Sequence, residues 1–280
     1  MTARAYLDEL FSLDGLIAVV TGGSSGIGRA IAGALVGAGA RVVVLARREG
    51  PLAETVAELT GAGGTAGWVS GDLGTRDGVR AAAERAAAVF GEPDVLVNCA
   101  GVNLRPPLGS LDEDVWDTTM AVNLTAPFLL GQRFGPGMAA RGFGRIVHVS
   151  SQQASRAFAD SGAYGVSKGG LEALARSQAE AWSPSGVTVN TLVPGFVPTP
   201  LNARLSADPQ RVAALAARTL VAATACPPTS RARRCSWPAG RRATSPARRC
   251  TSTAASRCTE PPTGRAGPGP RSGESEAAAG

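Results

Sequence analysis

The chain has 280 residues, with 28 Lys plus Arg against 22 Asp plus Glu, 36 Gly, 19 Pro and 5 Cys, which suits one medium-sized domain rather than two. Residues 221–280 hold 10 Arg and 3 Glu, a charge of +7, leaving residues 1–220 at −1, so the part able to fold gives no case for a nucleic-acid or anionic-membrane partner. No apolar run nears the roughly 18 residues that span a bilayer, and Asp8 and Glu9 break a signal-peptide reading; a soluble, cytoplasmic protein is expected.

From residue 16 to residue 193, short β-type apolar runs alternate with Ala-rich helical segments. Strands are expected at 17–20, 41–45, 67–70, 95–98, 146–150 and 187–193, and helices at 28–36, 52–59, 76–90, 115–134 and 164–182. The strand runs are apolar on both faces, which suits a parallel sheet covered by helices on each side. The expected fold class is α/β, a single doubly wound parallel sheet occupying residues 1–220, with ligands at the carboxyl ends of its strands.

The first strand runs into Thr21-Gly22-Gly23-Ser24-Ser25-Gly26-Ile27-Gly28 and then a helix. Glycines at such a turn let the backbone approach a pyrophosphate, whose charge meets the helix N-terminal amides. The plain alternative is a glycine turn that only redirects the chain. At the end of the second strand a NAD site would place an acidic residue on the ribose hydroxyls, but here stand Ala46-Arg47-Arg48. A guanidinium pairs with a 2′-phosphate and cannot accept from a 2′-hydroxyl, so NADP is favoured over NAD; the alternative is two solvated surface charges.

Tyr164 and Lys168 stand at i and i+4, on one face of a helix. A neighbouring cation stabilises phenolate, so Lys168 is expected to lower the Tyr164 pKa and make it a general acid or base. Lys168 is the only lysine in the chain and Tyr6 the only other tyrosine. Ser150 and Ser151 end the fifth strand, where the Ser151 hydroxyl could meet the same substrate oxygen as Tyr164. His148, the only histidine, lies between Val147 and Val149 and reads as a packed residue. With no second histidine and no carboxylate at ligand spacing, neither a metal site nor a Ser-His-Asp hydrolase is supported.

After Leu220 the only large apolar residues are Val221 and Trp237, so residues 221–280 are expected to be a disordered Arg/Pro/Ala-rich tail. Its cysteines, Cys226, Cys235, Cys250 and Cys258, fit no zinc template. GC-rich coding DNA read out of frame yields this composition. Shifting the frame over residues 243–259 gives a string resembling DVTGQALYVDGGFSVH, so the tail reads as a frameshift product that starts near Val221.

Taken together, these residues resemble the short-chain dehydrogenase/reductase family over about residues 10–220, which implies a Rossmann-like sheet. Thr21 to Gly28 is similar to the family's TGxxxGxG loop, placing Thr21, Gly22, Ser24, Ser25, Gly26, Ile27 and Gly28 at the cofactor, with Arg47 near the 2′-phosphate. Asn98-Cys99-Ala100-Gly101 resembles its NNAG stretch, with Cys99 for the second Asn, which adds Asn98, Ala100 and Gly101. Asp72 and Leu73 look like the pair that contacts adenine. Pro194-Gly195 followed by Thr199 is similar to the segment that packs on the nicotinamide and holds its carboxamide.

Asn123 matches the family's helix asparagine, and Ser151, Tyr164 and Lys168 its serine, tyrosine and lysine. The resemblance implies hydride transfer between NADP(H) and a small-molecule ketone or secondary alcohol, of 3-oxoacyl or sugar type. Tyr164 would pass the proton, Ser151 would polarise the oxygen, Lys168 would bind the nicotinamide ribose, and Asn123 would support a water relaying protons to Lys168. A homo-oligomer is implied too, although the family's final helix and strand, with a segment like LYVDGG, are absent from the chain as written. The alternatives are an inactive relative that binds nucleotide or a partner without turnover, and a tail that tethers nucleic acid nonspecifically.

Overall fold

The computed structural model of the chain describes residues 10–217 and 249–252. In chain order the elements are β1 (Ile17–Thr21), α1 (Gly26–Gly37), β2 (Arg41–Ala46), α2 (Glu49–Gly61), β3 (Thr65–Ser70), α3 (Arg76–Phe90), β4 (Val95–Asn98), α4 (Glu113–Met120), α5 (Ala126–Ala140), β5 (Gly144–Val149), α6 (Gly162–Trp182), β6 (Val187–Pro194), α7 (Ala203–Ser206), α8 (Pro209–Ala217) and β7 (Arg249–Ser252). The strands form one parallel sheet in the order β3-β2-β1-β4-β5-β6-β7.

Alternation along the strands divides the core between the two faces. Val19, Leu45, Leu96 and Ile146 point to one side, where Val79 of α3, Phe134 and Met138 of α5 and Ala175 of α6 cover them. Their neighbours Val20, Val44, Val97 and Val147 point to the other, against Ala32 of α1 and Leu52 of α2. Every residue of β1 is buried, as a central strand covered on both faces must be. The chain leaves β1 to build β2 and β3 on one side and crosses back to build β4 on the other. That reversal opens a crevice at the carboxyl ends of β1 and β4, where Thr21 lies beside Asn98.

Two features depart from the sequence reading. The single helix expected over 115–134 is interrupted by a π-helical turn at Ala121–Thr125, centred on Asn123, whose carboxamide bonds Val102 and Ser167. One extra residue per turn is the backbone's way of accommodating such an insertion, and π turns recur at functional sites. The place beside β6, left without a strand in the sequence reading, is taken by β7, with Thr191 opposite Arg249 and Pro194 opposite Ser252. A ladder requires only main-chain donors and acceptors, which any non-proline residue supplies whatever its side chain. The rest of the tail expected to be disordered, 221–248 and 253–280, lies outside the described residues, as do Cys226, Cys235 and Cys258.

Candidate active site

The turn between β1 and α1 is lined by backbone because side chains cannot fit there. Gly22 has φ +68°, and a Cβ on it would lie 2.9 Å from the Ala100 Cα. A Cβ on Gly28 would lie 2.3 Å from the Gly22 carbonyl oxygen, so α1 can start this close to the turn only as glycine. The N-cap, Ser25, makes no side-chain cap bond, and no acidic residue stands in the first turn of α1. By contrast, α3 is capped by Thr75 and α4 by Asp112. The N-terminal amides of α1 therefore lack a capping side chain at the end that favours an anion. Thr199 closes this cradle from the β6 side, 3.1 Å from where a Gly26 Cβ would stand.

Three other elements meet next to it. Tyr164 and Lys168 project from α6 and are 7% and 4% exposed. The Lys168 Nζ lies 5.7 Å from the Tyr164 ring centre and donates to the Val149 carbonyl at the end of β5 (2.8 Å). Ser151, just past β5, hydrogen-bonds the Tyr164 hydroxyl and accepts from the Gln153 N–H (3.2 Å). Gly101 lies against Asn123 and Lys168: its missing Cβ would stand 3.2 Å from the Asn123 Oδ1 and 3.7 Å from the Lys168 Nζ. Asn123 accepts from the Val102 N–H (2.8 Å) and donates to the Val102 carbonyl (3.0 Å) and the Ser167 Oγ (3.1 Å). Both its N–H groups are committed to protein, so its side chain positions the loop after β4 and has no donor left for a water.

The electrostatics differ from the sequence reading in one respect. Lys168 was expected to lower the Tyr164 pKa, but burial dominates and holds the phenol above its ordinary value. The Ser151 hydrogen bond and the positive charge of Arg105 oppose that rise. Burial also draws the Lys168 ammonium down to about 8 and pushes the Cys99 thiol up to about 11. At neutral pH the cluster therefore holds a protonated phenol, a neutral thiol and an ammonium beside them.

Several residues assigned to the cofactor turn into the protein instead. The Thr21 hydroxyl accepts from the Cys99 and Ala100 N–H groups (both 3.0 Å), tying the turn after β1 to the loop after β4. Asn98 is 2% exposed, with its Nδ2 on the His148 ring (3.2 Å). Arg47 is exposed at the end of β2, its carbonyl accepting from Ser70 (3.0 Å). Asp72 is exposed and accepts from the Gly74 N–H (3.0 Å), while Leu73 is buried. Pro194 ends β6, and Gly195 packs toward Gln152. Ser167 and Arg105 were missed. The signal for Arg105 was a basic residue in the loop that leaves β4 at the crevice, visible only once topology set that loop against Tyr164. Among the described residues no three His, Cys, Asp or Glu side chains gather to hold a metal, and no helix is long and apolar enough to cross a membrane.

Comparison with known proteins agrees with this geometry. The short chain dehydrogenase family model matches residues 16–210. The chain is 40% identical over 195 residues to D-threitol dehydrogenase of Mycolicibacterium smegmatis, covering 70% of this chain and 75% of that one. A gluconate 5-dehydrogenase from Burkholderia cenocepacia, solved in complex with NADP and tartrate, superposes with a TM-score of 0.74 at 33% identity, over 79% of this chain and 86% of that chain. A 3-oxoacyl (acyl-carrier-protein) reductase from Agrobacterium tumefaciens with NADP bound gives 0.76 at 33%, over 81% and 89%. A backbone-lined turn at the sheet reversal, an interacting Ser-Tyr-Lys cluster and the matched span of sequence lead to one conclusion: the chain belongs to the short-chain dehydrogenase family of oxidoreductases.

Proposed function

We propose that the chain is an NADP(H)-dependent oxidoreductase that interconverts a ketone and a secondary alcohol, with a 3-oxoacyl or sugar-type compound as substrate. The observation that carries this reading is the meeting of Ser151, Tyr164 and Lys168 beside an α1 N-terminus that no side chain caps. That terminus and the Gly22-to-Gly28 turn would receive the pyrophosphate, and Gly195 and Thr199 would meet the nicotinamide end. The bound nicotinamide would supply or accept the hydride.

The protein's own part is the proton and the orientation. Tyr164 carries its proton at neutral pH because burial raises its pKa, and in that form it protonates a carbonyl oxygen as the adjacent carbon is reduced. Ser151, already bonded to the phenol, stabilises the phenolate left behind. Lys168 holds a positive charge beside that ring. Arg47 and Arg48 are exposed and have no carboxylate partner among the described residues, which leaves them available to a 2′-phosphate. The NADP-bound neighbours support this choice of cofactor.

Steady-state oxidation of NADPH and of NADH against a panel of 3-oxoacyl thioesters and keto-sugars tests the reading. Turnover with NADPH preferred, and the preference reversed by Arg47→Glu, is expected. NADPH binding without turnover of any carbonyl would make the chain a nucleotide-binding relative without catalysis.

A further inference from the structure

Arg105 lies in the loop that leaves β4, and its side chain reaches the segment between Ser151 and α6. The Nε donates to the Asp160 carbonyl (3.3 Å) and the Nη2 to the Ala159 carbonyl (2.5 Å). Asp160 is the one described residue other than glycine with a positive φ, 55°, a conformation an Asp adopts at some cost. Two successive carbonyls thus receive one edge of the guanidinium and fix its plane.

The opposite edge has no such partner. A guanidinium carries five N–H donors, and the two bonds use the edge formed by Nε and Nη2. The end formed by Nη1 and the second Nη2 hydrogen has no acceptor among the described residues, and Arg105 is in no ion pair there. An arginine oriented on one edge and open on the other presents the geometry that takes a carboxylate with two parallel bonds. Its charge also acts on the Tyr164 phenol, and the two carbonyls that hold it belong to residues four and five positions before Tyr164 in the chain.

We infer that Arg105 anchors a carboxylate on the substrate, so that the enzyme takes hydroxy acids or keto acids whose reacting carbon lies at Tyr164. This rests on the oxidoreductase reading above and narrows its substrate class. The loop bonds alone would also be made by an arginine that merely staples residues 159 and 160, and the test separates the two roles.

The full chain loaded with NADP+ is titrated calorimetrically with D-gluconate and with D-glucitol, which differ by a carboxylate against a CH2OH at one end, and kcat/KM for NADP+ reduction is measured with each. Wild type is expected to bind gluconate the more tightly. Arg105→Met is expected to reduce the gluconate-to-glucitol affinity ratio by about 30-fold, as loss of charge-assisted bonds does, and Arg105→Lys, which keeps the charge, to retain part of it. Equal affinity of wild type for both compounds, or an unchanged ratio in Arg105→Met, overturns the inference, the second by showing a staple only. Where Arg105→Met fails to bind NADPH, the wild-type and Arg105→Lys ratios decide. Gluconate bound through Arg105 without any turnover would sink the oxidoreductase reading and leave the anion site standing; turnover with no preference would do the reverse.

Discussion

Lowering the pH from 7 to 4.5 should destabilise the protein through one imidazole. The His148 Nδ1 faces the Asn98 Nδ2 at 3.2 Å, and its Nε2 faces the Gln178 Oε1 at 2.8 Å. An amide nitrogen only donates, so Nδ1 accepts and Nε2 carries the hydrogen, which fixes the neutral tautomer. Protonation would turn an N–H against the Asn98 amide. Burial, aided by the Lys168 charge and opposed by the Gln178 bond, draws the pKa from 6.5 to about 4. Above pH 6.5 neither the folded nor the unfolded state is protonated and stability is full. Between 6.5 and 4 the unfolded chain binds a proton that the folded one refuses, so stability falls as pH falls, by about 3 kcal/mol in all and roughly 2–3 kcal/mol by pH 4.5. For a domain of this size that lowers Tm by roughly 5–10 °C. Thermal and urea unfolding of wild type and His148→Gln across this range isolates the effect from the carboxylates, since glutamine can both accept from Asn98 and donate to Gln178 without titrating. Because the chain has one histidine, its proton resonance also reports the pKa directly. A titration near 6.5, or an equal acid loss in His148→Gln, would refute the reasoning.

Two further perturbations act on the site. Gly28→Ala places a methyl 2.3 Å from the Gly22 carbonyl oxygen, forcing the turn open by about 1 Å; overpacking of this kind costs about 1–3 kcal/mol, and NADPH affinity read by fluorescence should drop at least about tenfold, an unchanged Kd contradicting the cradle. Asn123→Ala strands the Val102 N–H and carbonyl and leaves the Ser167 hydroxyl with only its bond to the Tyr164 carbonyl, costing about 2–4 kcal/mol in denaturant unfolding, with Asn123→Asp intermediate because it still accepts from Val102; equal stability of all three forms would show the contacts to be dispensable.

The order of the first six strands was legible because the central ones, β1, β2, β4 and β5, are short apolar runs buried on both faces, whereas β3 is largely exposed and β7 carries no apolar run to announce it. Boundaries shifted by a few residues: α2 starts at Glu49 and β3 at Thr65, ahead of the first strongly apolar residue of each. The π turn at Ala121–Thr125 was not legible, because it arises from Asn123 reaching a loop 21 residues earlier in the chain. The spacing of Tyr164 and Lys168 put them on one helical face, as found. The direction of the Tyr164 shift was misjudged because sequence shows a neighbouring cation and hides the burial that outweighs it. Thr21 and Asn98 sit where their motifs suggested, yet their side chains brace the sheet ends, a distinction that only partners reveal.

The central claim is that the Tyr164 hydroxyl is the proton donor of an NADPH-dependent reduction. Replacing it by phenylalanine removes one oxygen from a buried ring and leaves the glycine cradle untouched. NADPH affinity by fluorescence and single-turnover NADPH oxidation, measured together on wild type and Tyr164→Phe with the best carbonyl of the panel, test it most directly. Affinity should be retained while the rate falls by about 10²–10⁴-fold, the range for loss of a general acid. A variant that binds NADPH and oxidises it at the wild-type rate would contradict the account.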